Sequence, residues 1–301
     1  PWTVGLPEER KGFAAAWATP WPGAVALFGS DRDDGYVALG ATRRPALAGR
    51  LLEDLPAAAP WRRQRGPGAL VEVLAGAPSS ADPLAVLNGA NALALAAPDG
   101  GWEVLQYEEA ELEGPGRWRL RGLYRGVGGT EPLIGDPTPA GTVFVGLDRG
   151  LIPIDFGETQ VGLERSYRIG PASADIGAPS FAQAFWTYEG ASLRPHAPVR
   201  VSLTPEGGDL RVRWIRRSRR EADLWIAPET PLAEERERYR VRVRDADGAV
   251  VREAETSAPE WLYPAAQRTA DGTDAGAVTV EVAQISAVVG AGPYGKGTFD
   301  G

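Results

Sequence analysis

The chain has no cysteine and no methionine, a single histidine, and only two lysines, Lys11 and Lys296, among its 32 basic residues. Without cysteine there are no disulfides, no thiolate metal site and no cysteine nucleophile. With His196 alone, a two-histidine metal site is excluded, and a Ser-His-Asp centre would have to be built around a residue lying between Pro195 and Pro198. There is no G-x-S-x-G nucleophile elbow. No window approaches 18 unbroken apolar residues, so no membrane-spanning helix is expected. The first residues, PWTVGLPEERKG, lack the basic and apolar regions of a signal peptide. The missing initiator methionine leads us to expect that the chain begins inside a longer or processed polypeptide. Arginine in place of lysine, with abundant alanine and glycine, fits a GC-rich genome.

What is present is 301 residues, 43% hydrophobic and 24% charged, with a net charge of −8. That balance is ordinary for a globular protein and offers no general attraction to nucleic-acid phosphates. Glycine (38) and proline (26) are plentiful and punctuate short runs, which points to an all-β chain with many turns. Residues 24–28 and 36–39 flank the turn DRDDG, and residues 91–95 and 102–107 flank PDGG, so each pair reads as a hairpin. In RWRLR (117–121), Trp118 and Leu120 share one strand face and the arginines the other. Residues 78–87 read as a helical turn or loop. Residues 1–192 are therefore expected to form one or two β-barrel or sandwich domains. Trp2, Trp17 and Trp21 fall in an irregular start and are expected to pack within the domain or on a neighbour.

LRPHAP (193–198) reads as a linker. After it, strict alternation in residues 209–215 and 239–244, with further strands at 199–203 and 278–282, predicts a fibronectin type III-like sandwich over 193–290.

Four stretches carry candidate chemistry. GLYRGVGGTE (122–131) has the glycine density of a phosphate loop. Yet Gly129 is followed by Thr130 rather than a lysine, and prolines rather than a helix come next. It reads as a corner between strands, with glycines at positive φ and Arg125 paired with Glu131. RVRWIRRSRR supplies Arg211, Arg213, Arg216, Arg217, Arg219 and Arg220. This is a candidate anionic-ligand face or a charge ladder balanced by Glu229, Glu234, Glu235 and Glu237. Asp31, Asp33 and Asp34 lack the spacing of a calcium loop. Glu108, Glu109, Glu111 and Glu113 hint at a glycosidase pair, but the last three fall on one strand face, where solvent is the usual neighbour. No catalytic residue, cofactor or metal is predicted; a structural or binding module is.

Three ordered stretches carry a resemblance: LNGANAL (87–93) leading into WEVLQY (102–107); LYRGVGGTE (123–131); and LRPHAPV (193–199) followed by GDLRVRWIRR (208–217). Over most of residues 20–290 the chain resembles the C-terminal part of the large tail hub, or "megatron", host-specificity protein of gene transfer agents. More distantly it is similar to siphophage tail-tip proteins, which also carry fibronectin type III-like domains. The resemblance implies a virion component made in the bacterial cytoplasm and placed at the tail tip as the baseplate hub. It also implies a homotrimer contacting other tail proteins and the cell surface, polysaccharide included. It carries over no ligand residue. The glycoside-hydrolase-related segment of such proteins is not represented here. The last ten residues fit the resemblance less well, and residues 291–301 are expected to be a flexible terminus. Carbohydrate-binding modules of a glycoside hydrolase and a calcium-assisted adhesin are the alternatives.

Overall fold

The computed structural model describes residues 10–60, 62–98, 100–220, 230–274 and 276–300. Trp2 and Glu229 lie outside them. The chain divides into two compact units between Glu189 and Gly190, three residues before the expected boundary.

The first unit holds strands β1 (Lys11–Ala14), β2 (Val25–Ser30), β3 (Val37–Thr42), β4 (Ala48–Leu51), β5 (Ala69–Ala75), β6 (Ala92–Ala96), β7 (Trp102–Gln106), β8 (Glu109–Gly114), β9 (Arg117–Arg121), β10 (Val143–Gly146), β11 (Ile152–Asp155), β12 (Glu164–Pro171) and β13 (Ala182–Thr187). Strands β4 to β10 form one antiparallel sheet in the order β7-β6-β10-β4-β5-β9-β8. Its two ends are consecutive pieces of chain, joined only by Tyr107 and Glu108. The β8/β9 register, in which Glu109 faces Arg121, runs on without a break to an isolated bridge between Gln106 and Tyr124. Through that bridge the sheet curls back on itself as a barrel, its two end strands meeting at Gln106 and Tyr124. Period-two alternation fills the interior. Leu93 and Leu95, Leu105 and Tyr107, Ala69 and Val71, Leu120 and Phe144 form its core. Each fully buried aliphatic side chain contributes about 1.5–3 kcal/mol relative to exposure.

The barrel interrupts a second, smaller β structure. Strands β13-β12-β2-β3 form a sheet, and β1 pairs with β11. Leu27, Ile152, Ile154, Phe156, Tyr167 and Tyr188 make their shared core. The chain leaves this structure after β3 and returns at β11, and the two crossings lie side by side. The Gly146 amide donates to the Leu47 carbonyl at 2.7 Å. A Cβ at Gly150 would come within 2.7 Å of Ala46 Cα. The DRDDG turn joins β2 to β3 as a hairpin, and Trp21 donates to the Arg43 carbonyl. A five-residue helix, α1 (Pro83–Leu87), is capped by Asp82, whose carboxylate accepts from the Ala85 amide.

The second unit contains β14 (Val199–Glu206), β15 (Asp209–Ile215), β16 (Tyr239–Arg244), β17 (Val250–Thr256), β18 (Glu260–Tyr263), α2 (Ala265–Ala270), β19 (Val278–Ser286), β20 (Gly290–Ala291) and β21 (Gly295–Phe299). One sheet runs β14-β15-β18; the other runs β17-β16-β19, with β20 and β21 along the far side of β19. This is the expected fibronectin type III-like sandwich. Leu210, Val212 and Trp214 face Tyr239, Val241, Val243, Val278, Val280 and Val282 across its core. Trp214 and Tyr239 meet edge to face, with centroids 5.1 Å apart.

Two expectations are corrected here. The LRPHAP segment is not an exposed linker: Leu193, Pro195, Ala197 and Pro198 are buried, and Pro195 lies against Gly292. Nor is the C-terminus free. Strand β21 pairs with β19 from Val278↔Phe299 to Val282↔Gly295. Glycines make this closure possible, since a Cβ on Gly295 would stand 1.8 Å from the Pro198 carbonyl oxygen.

Candidate functional site

GLYRGVGGTE leaves β9 and turns sharply. Gly122, Gly126, Gly128 and Gly129 all adopt positive φ, between 65° and 86°, where glycine alone has no Cβ penalty. At Gly126 a Cβ would also collide with Glu131 Cα at 2.7 Å. Only single 3₁₀ turns follow, Val127–Gly129 and Glu131–Leu133. The Thr130 hydroxyl accepts from the Val104 amide at 2.9 Å and donates to the Val127 carbonyl at 2.8 Å. The segment is a corner sewn to the barrel wall. It has no helix N-terminus that would gather a phosphate.

Arg125 does not pair with Glu131. It pairs with Glu103, which shares the inward face of β7 with Leu105. Nε and Nη2 of Arg125 donate to the two carboxylate oxygens at 2.5 and 2.6 Å. The guanidinium also donates to the Pro56 carbonyl and to Thr138 Oγ1, and the Gly126 amide donates to Glu103 at 3.2 Å. Both side chains are buried, at 0% and 1% exposure. A pair removed from water this completely is tolerable only when its remaining hydrogen-bonding positions are met, and here the loops around Pro56 and Thr138 meet them.

A second buried carboxylate, Glu108, sits where β7 bends into β8. The Arg63 guanidinium donates to both its oxygens, at 2.9 and 2.7 Å, and the Tyr124 hydroxyl donates to Oε1 at 2.8 Å. The Arg63 hydrogen bonds hold Glu108 below its ordinary carboxylate range against the opposing effect of burial. Burial, then the Glu108 contact, raises Tyr124. A carboxylate held ionised in this way is no general acid. Glu109, Glu111 and Glu113 face solvent. Glu111 pairs with Arg121 and Glu113 with Arg119.

The arginine-rich stretch of the second unit is threaded with acceptors. Arg211 pairs with Glu206 at 2.6 Å and reaches Glu260 at 3.5 Å; Arg213 pairs with Glu260 at 3.2 Å. Beyond β15, Arg216 donates to the Thr230 and Pro231 carbonyls and lies 3.8 Å from Glu237. Arg219 donates to Glu234 and to the Ala233 carbonyl. Arg217 and Arg220 are half-buried and also interact with neighbours. Glu234 and Glu237 were expected beside the arginines. Glu206 and Glu260 were not, because they arrive from the two strands flanking β15. The same device recurs on β16, where Arg240 and Arg242 pair with Glu255 and Glu253. Among the described residues, no group of three or more His, Cys, Asp or Glu is placed to hold a metal ion, and no helix is long and apolar enough to cross a membrane.

Residues 46–145, about a third of the chain, match a family model described as "Rcc01698-like, C-terminal", which links the chain to a gene-transfer-agent-associated family. The matched span runs from just before β4 to within β10, so it coincides with the barrel. No curated protein matches. Among solved structures, the chain is similar to one described as "Cytokine receptor complex - Crystal form 1A". The two share 12% identity over 77% of this chain and 91% of that one, with a TM-score of 0.26. The fold assignment rests on strand order and not on that likeness.

Proposed function

We propose that this chain is a structural component of the tail tip of a gene-transfer-agent-like particle. It serves the baseplate hub as a rigid, non-enzymatic β assembly, without a cofactor, and contributes to contact with the host cell surface during DNA delivery. The observation that carries this reading is the coincidence of the family match with the barrel: the recognised segment is a complete structural module, held by its own core and its own buried ion pair. The partners in this reading are two further copies in a homotrimer, neighbouring tail and baseplate proteins, and cell-surface polysaccharide. Specific nucleic-acid binding is not among them. The arginine ladder serves the sandwich as a cross-braced surface, with Arg211, Arg213, Arg216 and Arg219 each held beside an acceptor.

The test is position. An epitope placed at Gly141, an open turn where an added Cβ meets nothing within 4 Å, should be labelled at the end of the tail when intact particles are imaged. Label on the capsid, or none on particles that contain the chain, would refute the assignment.

A further inference from the structure

The outer surface of the β13-β12-β2-β3 sheet carries side chains that the small core does not use. Opposed residues of an antiparallel ladder share a face. Arg168 stands opposite both Phe28 and Gln183, and Ser166 stands opposite Phe185. These residues therefore share one surface, while Leu27, Tyr167 and Ile169 point into the core. Phe181 joins the outer surface beside Gly170, where a Cβ would come within 2.6 Å of its ring. Along this edge the outward row reads ring, amide, ring: Phe181, Gln183, Phe185. The Cα atoms of the two phenylalanines stand about 13 Å apart, four residues of extended chain. Phe185 is 58% exposed.

Between the rings lies a braced polar band. Gln183 Nε2 donates to Asp33 Oδ1 at 2.7 Å. The Tyr36 hydroxyl donates to the same oxygen. Arg168 reaches it at 3.4 Å, and its guanidinium lies 4.8 Å over the Tyr36 ring. These side chains fix one another while Asp33 and Gln183 stay exposed, so little rotamer freedom remains to be lost on binding. Donors (Arg168, Gln183) and an acceptor (Asp33) stand together, and the two charges cancel. A ligand that suits this surface is uncharged, rich in groups that both donate and accept, and apolar on its flat faces. A sugar chain has all three properties. An anionic chain would meet Asp33, and an apolar peptide would leave the polar band unpaired.

We propose that this sheet face binds a neutral polysaccharide, with Phe181 and Phe185 as stacking platforms and the Asp33–Gln183–Arg168 group reading hydroxyls between them. Its biological setting rests on the cell-surface reading above, but the binding does not, and the two fail separately: epitope imaging tests the tail position, glycan binding tests the face.

The experiment is affinity electrophoresis of the full chain in gels containing dextran, galactomannan, xyloglucan or, as the acidic comparison, polygalacturonate. We expect retardation by at least one neutral glycan and none by polygalacturonate. Phe185→Ala and Gln183→Ala should each weaken it roughly tenfold. Leu112→Ala, an exposed apolar residue of β8, should leave it unchanged. Thermal melts confirm folding of each variant; Phe185 is exposed enough for its loss to spare the core. Absence of retardation by every neutral glycan overturns the proposal, as does binding by Phe185→Ala and Gln183→Ala equal to the parent's. If those variants change only the oligomeric state, the face is a protein contact through the β13 side of the sheet, and the proposal is likewise overturned.

Discussion

Arg125 and Glu103 are joined by two parallel hydrogen bonds inside the barrel, with both side chains closed off from solvent. Breaking such a pair from one side strands a buried charge, which costs about 3–5 kcal/mol. Glu103→Ala should therefore lower the barrel's urea midpoint sharply. The double variant Glu103→Leu with Arg125→Met should lose much less than the two single losses combined, since no charge is left unpaired. Equal losses for the double variant and the added singles would show that the pair acts through shape rather than charge.

Glycine positions separate strain from space. Gly126 and Gly141 both adopt positive φ, 65° and 86°, so an alanine at either should cost roughly 1–2 kcal/mol of backbone strain. At Gly141 the added methyl meets nothing; at Gly126 it meets Glu131 backbone at 2.7 Å. Chemical denaturation should find Gly126→Ala clearly more destabilising than Gly141→Ala. Equal losses would mean that the corner can open without penalty.

Acid should weaken the barrel through Glu108. Its carboxyl is held below the ordinary value of 4.5 chiefly by hydrogen bonds from Arg63. A depressed carboxylate adds stability that is present above its unfolded value and lost as pH falls through the folded one. In Arg63→Leu the carboxylate stays buried without its cation, so its folded value rises toward or past the unfolded one: the variant should lose stability mainly at neutral pH, and its acid limb should flatten or reverse. Glu108→Gln should flatten that limb. Urea midpoints taken between about pH 3 and 6, the span in which carboxylates titrate, would show both; an Arg63→Leu profile parallel to the parent's would disprove the linkage.

The last strand belongs to the sandwich. A Cβ at Gly297 would stand 2.3 Å from the Val201 carbonyl oxygen, so Gly297→Val should force β21 away from its neighbours and expose the Phe299 side of the core. Loss of the strand after residue 291 should act in the same direction. Hydrogen exchange should report it as lost protection along the β21-facing side of β19, Val278 to Val282. Unchanged protection there would show that the terminal strand adds nothing to the sheet.

Much of this architecture was legible locally. Alternation in residues 209–215 and 239–244 gave the sandwich, and the glycines of GLYRGVGGTE gave the corner. What stayed hidden depends on partners distant in the chain. Nothing in WEVLQY marks Glu103 as an inward charge; Arg125, 22 positions later, neutralises it there. The terminal segment reads as loose because glycines weaken a strand in isolation; here the backbone of residues 198–201 needs the space a side chain would take. Helix α2 has no alternating or capping signal, and its buried Arg268 is held by the Gly208 and Thr273 carbonyls. Barrel closure is a register coincidence between Gln106 and Tyr124 that no short window contains.

Because the barrel's two connecting strands cross side by side at Leu47 and Gly146, a pull transmitted along the polypeptide need not pass through the barrel wall. The load is taken first by the contacts that clasp those crossings together, and the barrel hangs from the line of tension like a bead on a closed loop of string.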